Sequence, residues 1–227
     1  MNNNSRFTIN KSIGYPDTPI GIILCFSGGR DSSCSALKLI TSQRNPLLLT
    51  VIDSKLQNDE KTEKRVKEFC EKGQPFSWIS VTAQDFYNHI LNIHLVTSPS
   101  CFGCFMVKLS LAIIIAKKCS INTVAAGFTS YQGSWIEQSP TAIELIKDFL
   151  LRYDLELELP VWDFKSKQEA SELLIRYGVS SESLEPLCHC AECKTNENAA
   201  PADIHSDFSL LSTPCHDFIR LCMRDKK

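Results

Sequence analysis

Five apolar runs, at residues 20–26, 46–53, 76–82, 123–126 and 155–161, alternate along the chain with segments patterned as helices. The helical patterns cover residues 32–41, 61–72, 84–94, 105–119, 141–153 and 166–177, several with apolar side chains at i, i+3 and i+4. When a helix separates two strands, it carries the chain back along the sheet and the strands pair in parallel. The alternation therefore predicts an α/β fold, a doubly wound, mainly parallel five-stranded sheet with helices on both faces. At 227 residues and 43% hydrophobic, the chain is long enough to bury one substantial core. Ligands of such sheets sit at the carboxyl ends of the strands, beside the point where strand order reverses.

The first run ends in Ser27-Gly28-Gly29-Arg30-Asp31-Ser32-Ser33, which leads into the first helical pattern. Two glycines let the backbone turn tightly and approach an anion without a Cβ in the way. Backbone N–H groups and the helix dipole then point at the incoming charge, and Ser27, Ser32 and Ser33 add hydroxyls. Asp31 repels a phosphate, so its use in such a cradle is to hold a magnesium ion that neutralises the phosphates. An ordinary strand-to-helix turn with Asp and Ser as caps is the alternative. The order Gly-Gly-x-Asp-Ser between strand and helix favours the cradle.

Two further loops are expected at the same sheet edge. Asp53 ends the second run, where the adenosine of a nucleotide would lie, and fits a cap or turn residue equally well. Gly127 closes the fourth run and opens a polar and aromatic loop at 128–138, in which Glu137 and Gln138 are candidates for substrate contact. Lys167 opens the last helical pattern, either in reach of a phosphate or solvated.

Eleven cysteines are distributed unevenly. Cys25, Cys34, Cys70 and Cys119 fall inside strand or helix patterns and read as small buried hydrophobes. Cys101-Phe102-Gly103-Cys104 is expected in a loop before a very apolar helix, where the helix dipole favours the thiolate. Cys188-His189-Cys190-Ala191-Glu192-Cys193 is a dense group of soft ligands. Together the two groups exceed the four sulfurs that a tetrahedral zinc or iron–sulfur site needs. His89, His94, His205 and His216 show no partner spacing. After Tyr177 the chain turns rich in Ser, Glu, Pro and Cys, which predicts mostly loop. A short helix is expected within 208–223, with Pro214 at its start. The expected organisation is an α/β domain at 1–178 that carries the cradle and a Cys-rich appendage at 179–227 packed on it.

The 27–33 segment resembles the PP-loop of the N-type ATP pyrophosphatases, whose motif is Ser-Gly-Gly-x-Asp-Ser, and it lacks the Gly-Lys-Ser/Thr ending of P-loop kinases and GTPases. The resemblance implies the adenine nucleotide alpha hydrolase-like fold and cleavage of ATP, with Mg2+, between its α and β phosphates. A substrate carbonyl or carboxyl oxygen would be adenylated and AMP then displaced by sulfur or nitrogen. It assigns Ser27, Gly28, Gly29, Asp31, Ser32, Ser33 and Gly127 to ATP, and Asp53 and Lys167 join them as ATP contacts by position alone. Within this superfamily, Cys101 and Cys104 resemble the mid-chain Cys-x-x-Cys of tRNA-thiolating enzymes, and one of Cys188, Cys190 or Cys193 their downstream cysteine. That likeness makes Asp31, Cys101 and Cys104 catalytic. It also makes Cys101, Cys104, Cys188, Cys190 and Cys193 candidate ligands of Zn2+ or an iron–sulfur cluster. The downstream group also resembles the structural zinc site of 7-cyano-7-deazaguanine synthases in its place. Its spacing is tighter, and the Tyr-Pro-Asp-Cys substrate motif of those enzymes is missing from 128–140.

A net charge of −2 bears on the partners. Proteins that bind tRNA usually present a basic surface, since phosphate contacts dominate affinity. A small-molecule substrate therefore fits at least as well as tRNA. A sulfur-donor protein and a second copy of the chain are further candidate partners. No run is apolar enough to span a membrane, and the first residues lack a signal-peptide core, so the expected location is the cytoplasm. Three functions follow in order: an ATP-dependent sulfurtransferase, a C–N bond-forming ligase using ammonia with structural zinc, and a nucleotide-binding regulatory module. Asp31 beside the cradle favours turnover over regulation.

Overall fold

The computed structural model describes residues 6–15, 17, 20–52, 60–97, 101–184 and 201–224. Its strands are β1 (Thr8–Ile13), β2 (Ile22–Cys25), β3 (Pro46–Ile52), β4 (Ser77–Thr82), β5 (Thr123–Ala126) and β6 (Glu156–Glu158). Its α-helices are α1 (Arg30–Thr41), α2 (Glu60–Glu71), α3 (Gln84–Thr97), α4 (Cys101–Cys119), α5 (Pro140–Leu151), α6 (Lys167–Arg176) and α7 (Pro201–Arg224). The sheet runs β1-β4-β3-β2-β5-β6, and every pair except β1–β4 is parallel. From β2 the chain builds outward through β3 and β4, then crosses to β5 on the other side. Strand order thus reverses beside β2, and the loop that leaves β2 opens at that point.

Burial on both faces explains why the central strands are unbroken apolar runs. All four residues of β2 and all seven of β3 are buried. Alternate side chains serve opposite layers, as the two-residue strand period requires. Ile23, Cys25, Leu47, Leu49 and Val51 join one core with α3, α4, α5 and α7, while Ile22, Leu24, Phe26 and Leu48 join a second with α1, α2 and α6.

Four expectations need correction. The sheet has six strands, because β1 adds an antiparallel edge along β4. All six β1 residues are exposed, so no apolar run marks it. The fifth expected strand, at 155–161, shortens to Glu156–Glu158. Helix α4 starts at Cys101, not residue 105, which puts Cys101 and Cys104 in its first turn and not in a preceding loop. Helix α7 is 24 residues long with Pro214 inside it. Proline there removes an N–H from the helical ladder. Burial of Ile204, Phe208, Leu211, Cys215, Phe218, Ile219 and Cys222 in the first core offsets that loss. Among the described residues, no helix is long and apolar enough to cross a membrane.

Candidate nucleotide site

Strand β2 delivers the chain to the loop through Phe26, whose N–H donates to the Leu49 carbonyl at 2.8 Å. Gly28 then turns at φ +78°, and a Cβ on it would lie 3.1 Å from both the Leu184 carbonyl oxygen and Thr62 Cα. Both the dihedral and the space therefore call for glycine. Gly29 caps α1 with extended backbone and has no side chain to bond the first helical turn. The opening N–H groups of α1 have no partner within the helix and are oriented for an anion.

The serine hydroxyls brace this loop. Ser27 Oγ accepts from the Gly29 N–H at 3.2 Å and lies 3.1 Å from Ser32 Oγ. Ser32 Oγ donates to the Gly29 carbonyl at 3.1 Å. Ser33 is fully buried, and its hydroxyl donates to the same carbonyl at 2.7 Å. Ser27 and Ser32 thus stand at the cradle's mouth, and Ser33 at its back.

Gly127 ends β5 directly against α1. A Cβ there would come within 2.7 Å of both Ser32 Cα and Ser32 N, so no larger residue fits without moving backbone. The loop that follows is held by its own polar groups. Gln138 accepts from the Thr129 N–H at 3.0 Å and donates to Gln132 Oε1 at 3.0 Å. Ser130 donates through its N–H to the Trp162 carbonyl and through its hydroxyl to the Phe164 carbonyl, at 3.2 and 2.9 Å. Glu137 and Gln138 are both buried, so the structure places Gln138 as a loop brace. From this loop the Tyr131 hydroxyl donates to Asp31, 2.8 Å from each carboxylate oxygen. Burial and the Asp31 charge push the Tyr131 pKa up, so it stays protonated.

Cations surround this edge. Lys165 Nζ is 3.4 Å from Ser130 Oγ, whereas Lys167 is exposed in the first turn of α6. Burial pushes the Cys25 thiol up to about 12, and the Lys108 ammonium opposes that shift. Arg30 Nε donates to the Ser181 carbonyl at 3.3 Å.

Below the loop lies Arg65, with no exposed surface. Its guanidinium donates to Glu68, to the Ser180 carbonyl at 2.7 Å and to the Glu182 carbonyl. One turn earlier, Thr62 Oγ1 donates to the Ser27 carbonyl at 3.1 Å. Helix α2 thus clips residues 180–184 to the loop.

Cys104 is half-buried in the first turn of α4, its sulfur 3.2 Å from the Tyr87 hydroxyl. The next residue, Phe105, packs its ring 4.8 Å from that of Phe128, which follows Gly127. The start of α4 therefore stands at the same edge as the cradle. The structure brings together Ser27, Gly28, Gly29, Asp31, Ser32, Ser33 and Gly127, and sets Cys104 on an adjoining element. Asp53, Cys188, Cys190, Cys193 and the side chain of Cys101 lie outside the described residues. Among the described residues, no three His, Cys, Asp or Glu side chains are grouped to hold a metal.

Sequence reasoning missed Tyr131, Lys165 and Arg65. For Arg65 a signal existed: Thr62, Arg65, Val66 and Phe69 share one helix face, and all four are buried. For Tyr131 there was none, since 100 residues separate it from Asp31. Asp31 suits magnesium, being a carboxylate at the mouth of a cradle that offers hydroxyl and N–H groups to phosphate.

The mostly parallel sheet, with a glycine-rich loop at its switch point, has the adenine nucleotide alpha hydrolase-like fold. The chain is similar to the U34-tRNA thiolase NcsA from Methanococcus maripaludis, solved with its 4Fe-4S cluster. Identity is 15% and the TM-score 0.54, over 90% of this chain and 71% of that one. It is similar also to the NMN synthetase from Francisella tularensis, at 13% identity and TM-score 0.51, over 94% and 89%. A predicted subunit of tRNA methyltransferase from Methanocaldococcus jannaschii aligns at 17% identity and TM-score 0.47, over 72% and 90%. At these identities the likeness is one of fold. No family model and no curated protein matches the sequence.

Proposed function

We propose that this chain is a PP-loop enzyme that cleaves ATP to AMP and pyrophosphate in order to activate a substrate oxygen for replacement by sulfur. The observation that carries this reading is the 27–33 loop, open at the switch point and locked against Gly127. The triphosphate lies over the first turn of α1, with Ser27 and Ser32 at its edge. A carbonyl or carboxyl oxygen of the substrate attacks the α phosphorus, and the α–β bridging bond breaks to release pyrophosphate. Sulfur delivered through Cys101 or Cys104 then attacks the activated carbon, and AMP departs with the oxygen. Magnesium, held by Asp31, would neutralise phosphate charge. Asp53 and Lys167 complete the proposed nucleotide contacts.

Sulfur is favoured over nitrogen by the place of Cys104 next to Phe105, whose ring packs on Phe128 in the loop after β5, and by similarity to a tRNA thiolase over 90% of the chain. Similarity to an NMN synthetase over 94% of the chain supports the second reading, in which ammonia is the nucleophile and the cysteines hold structural zinc. The substrate is a tRNA base or a small molecule, and at a net charge of −2 the latter fits at least as well. The test is turnover with ATP, magnesium and either unmodified tRNA or small carbonyl substrates. AMP and pyrophosphate are the expected products. ADP and phosphate would overturn the reading.

A further inference from the structure

We infer that Tyr131 is a positioning residue of the nucleotide site, whose hydroxyl covers both oxygens of Asp31 and withdraws when that carboxylate takes a divalent cation. The inference rests on the reading above, that the 27–33 loop holds ATP with a metal ion.

Geometry carries it. A phenol has one proton, and here it is shared between two carboxylate oxygens at 2.8 Å each. Such a three-centre bond centres the donor on the bidentate edge of the carboxylate, and a divalent cation that takes both oxygens needs the same edge. The two cannot occupy it together. The backbone on either side of Tyr131 is fixed, by Ser130 to Trp162 and Phe164 and by Gln132 to Thr129 and Gln138. Gly127 in turn seats the loop on Ser32. Release of Asp31 is thus a rotation of the Tyr131 side chain, with the loop backbone in place. The ring is half-buried against the core that includes Cys34, Ala36 and Leu37 of α1. That packing defines a closed position to which the side chain returns.

A cation that takes this edge must displace the phenol, so its binding is opposed by the strength of that charge-assisted bond. A Tyr131→Phe variant keeps the ring and deletes the competitor. Loss of such a charge-assisted bond at a half-buried position is expected to change cation affinity about five- to tenfold.

The experiment titrates Mn2+ into the full chain with saturating α,β-methylene-ATP and follows free Mn2+ by electron paramagnetic resonance. Tyr131→Phe is expected to bind Mn2+ about five- to tenfold more tightly than wild type. Equal or weaker binding overturns the inference. Asp31→Asn is expected to weaken Mn2+ binding. If it does not, the assignment of Asp31 to the metal fails, an outcome distinct from failure at Tyr131. A second measurement needs no variant. Wild-type protein labelled with 3-fluorotyrosine has five tyrosine resonances, and one must shift in the 19F spectrum when Mg2+ joins the nucleotide complex. If none moves, Tyr131 does not release Asp31 and the inference is wrong.

Discussion

Gly127 shows how a residue acts by what it lacks. Its missing side chain lets β5 end against the backbone of Ser32, the residue at the mouth of the cradle. A methyl at 2.7 Å from Ser32 Cα and N has only backbone to push against. Gly127→Ala is expected to cost about 1–3 kcal/mol through overpacking and to abolish nucleotide binding by shifting the first turn of α1. Urea denaturation and titration with α,β-methylene-ATP check the two effects. His216 acts through its proton. Arg152 Nη1 lies 3.0 Å from His216 Nε2 and can only donate, so Nε2 accepts and the ring proton is on Nδ1, bonded to the Tyr153 hydroxyl. A second proton on the imidazole would face the guanidinium, and desolvation with Arg152 lowers the His216 pKa. The stability from this contact is therefore full above the unfolded value of about 6.5 and is lost as pH falls below it toward the folded value. Wild type should lose more Tm between about pH 7.5 and about pH 5.5 than His216→Gln does. Equal losses would show that the ring does not titrate with folding.

At the scale of elements, α2 is the least expected contributor. Its sequence is mostly charged, yet Arg65 is buried and binds two carbonyls of residues 180–184, while Thr62 holds the carbonyl of Ser27. Arg65→Met would leave the Ser180 and Glu182 carbonyls and Glu68 without their donor, at a cost of about 3 kcal/mol. Lysine should rescue little, since its single ammonium lacks the planar fork. A urea midpoint close to wild type in Arg65→Met would show that the clip contributes nothing. The order of strands and helices, and the loop after the first strand, were legible because burial on both faces writes apolar runs and tight turns write glycine. Strand β1 was not legible. It is exposed throughout and is held by pairing to β4 and by Asn10 donating to Thr82 at 2.7 Å, some 72 residues away. Helix α7 was hidden for another reason: Pro214 argues locally for a break, and only the packing of seven apolar side chains on α3, α4 and α5 outweighs it. The Tyr131–Asp31 contact likewise belongs to the fold, since it joins the first turn of α1 to the loop after β5, which only the sheet brings together.

Across the whole molecule, the first turn of α4, which bears Cys104, and Leu184 both lie at the edge that carries the cradle. Cys104 sits in the first turn of α4 beside Phe105 and Phe128, and the Leu184 carbonyl, four residues before Cys188 in sequence, lies against Gly28. A two-stage reaction predicts that such groups can be removed from one stage and spare the other. Cys101→Ser or Cys104→Ser should keep substrate-dependent pyrophosphate release and lose the sulfur-containing product, because activation needs only the loop and its phosphate contacts. Full turnover of both variants with ammonia would instead make the chain a C–N ligase. Metal content then separates the roles of the downstream group. Anaerobically purified protein should contain iron with acid-labile sulfide if the cysteines serve thiolation, and a single zinc if they are structural. In either case Cys190→Ser or Cys193→Ser should lower both the bound metal and the Tm, because the free energy of metal binding is coupled to folding. Unchanged metal and unchanged Tm in both variants would remove those cysteines from the site.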